Sequence, residues 1–139
     1  MRLVLDTSTA VSALLWRGIP GELIDAAQRK SLTLFSSAPL LAELRGVLSR
    51  QKFARQLEAR NLVAEEIADG YAALVTIVTP ALIRPTIFSD PSDDVVLATA
   101  LGAQADLIVA SDPHLLNLKT YQQIPIVEPA EMVKRLPQR

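Results

Sequence analysis

The chain has 139 residues, half of them hydrophobic and 21% charged, which suits one packed domain and excludes wholesale disorder. Cysteine is absent and histidine occurs once, as His114, so a disulfide scaffold, thiol catalysis and a site built on several histidines are ruled out. A net charge of −1 removes any whole-protein basic footprint for nucleic acid and leaves room only for a local patch.

The first apolar run, Leu3-Val4-Leu5, closes on Asp6, too soon for the apolar stretch of a signal peptide. No later run approaches the ~20 apolar residues of a membrane span, so a cytoplasmic protein without a membrane partner is expected. Leu3–Asp6 reads as a strand and Ser8–Trp16 as a helix, with a break at Gly18-Ile19-Pro20-Gly21. Glu22–Arg29 is a second helix and Leu32–Phe35 a strand. Pro39–Ser49 is a helix with Ser36 or Ser37 near its cap and Pro39 in its first turn. Phe53–Arg60 and Val63–Val75 are helical, and Thr76–Thr79 is a β-branched strand. Pro91–Ala103 is a helix opened by Asp90-Pro91. Leu107–Ala110 is a strand, and Ile124–Glu128 is another that Pro125 places near an edge. Pro129–Leu136 is a terminal helix, acidic early and basic late as the helix dipole prefers. No linker composition interrupts residues 1–139, so a single domain is expected.

Short, continuously apolar strands alternating with helices predict an α/β protein, with a central mainly parallel sheet covered on both faces. Ligands of such sheets gather beyond the C-terminal strand ends. Asp6 closes the first strand, and Asp112 follows Leu107–Ala110 after Ser111. Taken singly, each reads as a helix N-cap. Asp93 has Val96, Leu97 and Ala100 as its i+3, i+4 and i+7 neighbours, so it shares an inward apolar face. Asp94 sits one step round, with Leu97 and Leu101, and either shares the site or leans to solvent. Glu43 lies on a stripe with Leu40 and Val47, where an exposed glutamate on a slightly rotated helix is the plainer alternative. Together, Asp6, Glu43, Asp93 and Asp112 can converge on one sheet edge. Crowded carboxylates raise one another's pKa unless a cation neutralises them. Oxygen ligands without histidine or cysteine favour Mg²⁺ or Mn²⁺ over zinc. Such a site suits metal-assisted phosphodiester hydrolysis.

Four stretches carry a resemblance that spans nearly the whole chain. They are Leu3-Val4-Leu5-Asp6-Thr7-Ser8, the Pro39–Leu44 segment holding Glu43, Asp90–Ala100, and Ala105–Asp112 followed by His114-Leu115-Leu116. In this order and spacing they resemble the motifs of PIN-domain proteins, and most closely the branch of VapC-like toxin components of toxin–antitoxin systems. The resemblance implies a three-layer α/β/α sandwich (PIN-like) and metal-dependent endoribonuclease activity. It also implies a cognate antitoxin and, often, a homodimer. It assigns catalytic places to Asp6, Glu43, Asp93 and Asp112, with either Asp93 or Asp94 as the primary ligand of that helix. Thr7, Ser8 and Ser111 fall where hydroxyls can bond a ligating carboxylate or a metal-bound water. Ala110-Ser111 departs mildly from the family's commoner pair and leaves Asp112 in register.

An RNA substrate needs phosphate contacts, for which Arg45, Arg50, Lys52, Arg55 and Arg60 form the best local patch, if they are not an ordinary solvated helix face. Arg17, Arg29 and Lys30 form a smaller group. Trp16, Phe53 and Tyr71 are candidate stacking platforms or core residues, and His114 is a candidate proton carrier or a cap. A mean hydropathy of +0.26 predicts an exposed apolar patch for a second copy or an antitoxin, with Leu40, Leu41, Leu44 and Leu48 contributing. The competing readings are a non-catalytic PIN-like binding module, a nuclease acting on DNA or in RNA maturation without an antitoxin, and a phosphoryl-accepting receiver. Lys119 lies too far beyond Leu107–Ala110 to suit the last.

Overall fold

The computed structural model describes residues 1–87 and 90–136. Its elements in chain order are β1 (Arg2–Leu5), α1 (Thr7–Leu15), α2 (Gly18–Gln28), β2 (Thr33–Ser36), α3 (Ala38–Leu48), α4 (Gln51–Ala59), α5 (Ala64–Leu74) and β3 (Thr76–Ile77). Then come α6 (Pro91–Ala103), β4 (Leu107–Val109), α7 (Pro113–Leu116), β5 (Thr120–Tyr121), β6 (Ile124–Val127) and α8 (Pro129–Lys134).

Alternation along the strands makes two cores. Leu3, Leu5, Leu34, Leu107 and Val109 face one side of the sheet, where residues of α1, α2, α3, α5 and α8 cover them. Val4, Phe35, Ile108, Ile124 and Ile126 face the other, beneath α6 and Leu115 of α7. The result is the expected three-layer α/β/α sandwich. The six strands run in the order β3-β2-β1-β4-β6-β5, parallel except for the antiparallel β5–β6 pair. Val4 is in register with both Phe35 of β2 and Ile108 of β4. The chain builds outward from β1 to β2 and β3, then crosses to β4 on the other flank of β1. The C-terminal ends of β1 and β4 therefore border a topological switch point, where open parallel sheets hold ligands.

Two expectations are corrected. Gly18-Ile19-Pro20-Gly21 is the first turn of α2 rather than a break, because the first helical N–H groups have no intrahelical partner and proline loses nothing there. The reversal falls one residue earlier, at Arg17 and Gly18, whose φ values are 62° and 48°. The strand containing Pro125 lies near an edge as expected, with only the short β5 outside it. Leu40, Leu41, Leu44 and Leu48 are all buried, because α3 lies between the two cores and contributes to each. They offer no surface to a partner. Among the described residues no helix is long and apolar enough to cross a membrane.

The segment after β3 is laid across α6. The Ala81 amide donates to the Ala98 carbonyl at 2.9 Å, and a Cβ on Gly102 would lie 2.2 Å from the Thr79 carbonyl oxygen. Gly102 thus admits the backbone that leads to Asp90. Gly102→Ala is expected to lower stability by about 1–3 kcal/mol in denaturant unfolding, whereas Gly46→Ala, with open space around its Cα, should not destabilise the protein.

Candidate metal centre

Asp6 ties the two central strands together. Its backbone N–H donates to the Val109 carbonyl at 3.0 Å. Its Oδ1 accepts the Thr9 N–H at 2.8 Å, which caps α1, and its Oδ2 accepts the Ser111 and Asp112 N–H groups at 3.0 and 3.2 Å. The cap and site readings of Asp6 are therefore compatible. Burial pushes its pKa up, and the bonds from Thr9, Ser111 and Asp112 oppose that rise.

Asp112 also serves twice. Its Oδ1 caps α7 by accepting the His114 N–H at 2.7 Å, while His114 Nδ1 lies 3.4 Å from the same oxygen. His114 Nδ1 is 3.9 Å from Asp93 Oδ2. Asp93 stands in the first turn of α6 on the inward face predicted for it and is 6% exposed. Among the described residues its Oδ2 is buried without a hydrogen-bond partner. Desolvation, then the charges of Asp112, Asp90 and Asp6, raise the Asp93 pKa to about 7.

Asp90, Asp93, Asp112 and His114 each offer one ligand atom, all within 4.8 Å of one another. Asp90 was legible only as the α6 cap, which it is: its Oδ1 accepts the Ser92 N–H at 3.1 Å and the Ser92 hydroxyl at 2.5 Å. The cap also sets this carboxylate beside Asp93. Asp6 and Glu43 lie outside that tight group but line the same cleft, of about 470 Å³, with Asp90, Asp93 and Asp112. Glu43 reaches it from α3, half-buried.

The structure does not bring Asp94 to the cluster. Its carboxylate accepts the Thr86 N–H at 3.1 Å and the Ile87 N–H at 2.8 Å, fastening the approach to α6. The hydroxyls divide likewise. Thr7 and Ser8 line the cleft, and Thr7 Oγ1 is buried without a partner among the described residues. The Ser111 hydroxyl instead bonds Thr9 Oγ1 at 2.9 Å, so Ser111 serves Asp6 through its backbone amide.

The basic patch separates in the same way. Arg50 and Lys52 line the cleft. Arg45 pairs with Glu65 at 3.2 Å and Asp69 at 2.8 Å, both on α5. Arg60 bonds the Leu15 carbonyl, and Arg17 pairs with Asp25. Arg55 is exposed. Tyr71 is buried in the core, and burial followed by the charge of Asp6 raises its pKa.

The donor set fits a hard divalent cation. It is dominated by carboxylate oxygens, one of them buried and unpartnered, and their mutual repulsion is what such an ion relieves. A three-layer sandwich with carboxylates gathered at the switch point of a parallel sheet defines the class of acidic-cleft α/β/α domains. Residues 2–114 match the PIN-domain family, and the chain belongs to it. No curated protein matches the chain in sequence. A chain in the crystal structure of VapBC2 from Rickettsia felis, bound to a DNA fragment from their promoter, has a similar fold. Its TM-score is 0.57 at 17% identity, over 91% of this chain and 97% of that one.

The raised Asp93 pKa has a stability consequence. Asp93 holds its proton to about pH 7 in the folded state but loses it near 3.8 when unfolded. The metal-free protein is therefore expected to lose stability as pH rises from about 4 to 7, on the order of 2–4 kcal/mol. Asp93→Asn should flatten that slope in thermal melts at graded pH. Mg²⁺ or Mn²⁺ should restore wild-type stability at neutral pH and do less for the variant.

Proposed function

We propose that this protein is a Mg²⁺- or Mn²⁺-dependent endoribonuclease, the toxin of a type II toxin–antitoxin pair. The observation that carries the reading is Asp93 Oδ2, buried and unpartnered in a cleft lined by four further carboxylates. PIN domains are generally nucleases, and the similar VapBC2 fold belongs to a toxin–antitoxin complex.

Asp93, Asp112 and Asp90 would hold the cation, with His114 Nδ1 within reach of the same point. A divalent cation bound there lowers the pKa of a coordinated water and neutralises charge building on the phosphate oxygens. Asp6 fixes the Ser111-Asp112 backbone and adds negative charge behind the ligands. Glu43, which lines the same cleft from α3, would accept a hydrogen bond from the attacking water and orient it. Thr7 and Ser8 line the same cleft and would add hydroxyl donors to it. Arg50 and Lys52 contact the neighbouring phosphates. Residues 1–139 act as one domain, with Met132 of α8 in the same core as β1 and β4. The protein is cytoplasmic and dimeric, and Met1, Ile19, Val63, Ile77 and Leu82 supply exposed apolar surface for a second copy or for the antitoxin.

Labelled total RNA incubated with wild type should give discrete products in Mg²⁺ or Mn²⁺ and none in EDTA. Asp6→Asn and Asp93→Asn should each cut at least about 100-fold more slowly while remaining folded. Equal inactivity of folded wild type and variants would leave the non-catalytic binding module as the better account. Induced expression in bacteria should arrest growth for wild type but not for Asp93→Asn, and co-expression of a small neighbouring DNA-binding protein should relieve the arrest. A wild type that cuts RNA without slowing growth would instead be a nuclease working without an antitoxin.

A further inference from the structure

We infer that His114 is a ligand of the bound ion through Nδ1, and that this nitrogen makes the centre prefer Mn²⁺ and its first-row neighbours to Mg²⁺; the inference rests on the cation site of the reading above. His114 is the single histidine of the chain. Capping explains the position of its backbone but not of its ring. The His114 N–H donates to Asp112 Oδ1 at 2.7 Å, and the ring also turns back toward that oxygen.

The local fold fixes where the ring starts. Pro113 restricts the backbone immediately before it. The Leu116 and Asn117 N–H groups donate to the Asp112 and Pro113 carbonyls at 3.0 and 2.8 Å, closing the turn of α7 around His114. Leu115, the next residue, is fully buried in the core beneath α6. The half-exposed imidazole is thereby held at the open side of a cluster whose inner member is Asp93.

The spacings suit coordination better than hydrogen bonding. His114 Nδ1 is 3.4 Å from Asp112 Oδ1 and 3.9 Å from Asp93 Oδ2. Both exceed the ~2.7–3.2 Å of an N–H···O bond. Six ligand atoms at about 2.1 Å from one ion stand roughly 3.0 Å apart when adjacent and roughly 4.2 Å apart when opposite, and both spacings fall in that range. Asp93 Oδ2 is the buried oxygen left without a partner among the described residues. An ion between these atoms gives that oxygen a partner and takes up the imidazole nitrogen with it.

The nitrogen decides which ion fits. Asp90, Asp93 and Asp112 offer carboxylate oxygens, which serve Mg²⁺ and Mn²⁺ alike. Mg²⁺ dehydrates reluctantly and keeps to oxygen. Imidazole favours first-row transition ions, with affinity rising from Mn²⁺ toward Cu²⁺. The three oxygens leave the choice open, and the one nitrogen biases it against Mg²⁺.

With one histidine in the chain, an imidazole nitrogen on the metal is that of His114. The full chain, free of any histidine tag, is stripped of metal, loaded with Mn²⁺ and measured by pulsed EPR. Nitrogen coupling of a directly bound imidazole is expected in wild type and not in His114→Ala. Mg²⁺ is then titrated against bound Mn²⁺, with the free Mn²⁺ signal as the readout. Half-displacement should need at least about a 10-fold excess of Mg²⁺ in wild type and a nearly equal amount in His114→Ala and His114→Gln. Both variants keep the backbone N–H that caps α7. Mn²⁺-saturated wild type without nitrogen coupling overturns the inference whatever the variants do. So does a variant that loses Mg²⁺ and Mn²⁺ affinity by the same factor, which makes the ring a support for Asp112 and not a ligand. Metal-dependent RNA cleavage by a protein whose Mn²⁺ shows no nitrogen coupling leaves the nuclease reading standing and removes this one. Nitrogen coupling in a protein that cuts no RNA does the reverse.

Discussion

Carboxylates packed into a half-dry crevice cannot all be charged unless something positive joins them, and the centre of this protein is arranged around that constraint. Asp93 is turned inward by the phase of α6 and meets Asp90 and Asp112, with Asp6 behind them. Without a cation, burial and the neighbouring carboxylates raise the Asp93 pKa to about 7, so its proton is lost only around neutral pH. The backbone helps to hold the acids in place: three amide N–H groups bond Asp6, one bonds Asp112 and one bonds Asp90. Cap and site are the same residues here. The hydrogen bonds that begin α1, α6 and α7 also aim the carboxylates, so their geometry is fixed before any ligand arrives.

The same economy extends to the rim. The Arg60–Leu15 bond joins α4 to the end of α1, setting the spacing across which a strand would lie. Asp94 binds Thr86 and Ile87, and Gly102 lets the Thr79 carbonyl pass close to α6. None of these three touches the cluster. Each fixes a segment that leads into it, so changes at them should act on the site through geometry.

Signals local to a helix or strand were legible in the sequence. Asp90-Pro91 and the apolar phase beyond it delimit α6 and turn Asp93 inward, and apolar runs ending in acids place Asp6 and Asp112 at one sheet edge. What escaped depends on contacts between distant segments. Asp94 could not be separated from the site because its partners lie in an irregular stretch with no periodicity. Arg45 and Arg60 look like members of one basic face until α5 and α1 supply their partners. The leucines of α3 look like a surplus stripe until both faces of the sheet are known to border that helix. Asp90 and His114 each had a sufficient local explanation as a cap or a capped residue. Only the folded chain brings them within reach of one ion.

The central claim is that this cluster is a divalent-cation site. Crystals grown in Mn²⁺ and measured near the manganese absorption edge test it most directly. The account predicts an anomalous peak within about 2.5 Å of Asp93 Oδ2 and of an Asp112 oxygen, absent from Asp93→Asn crystals. A folded protein in saturating Mn²⁺ with no peak there, or with the peak unchanged in the variant, would contradict it.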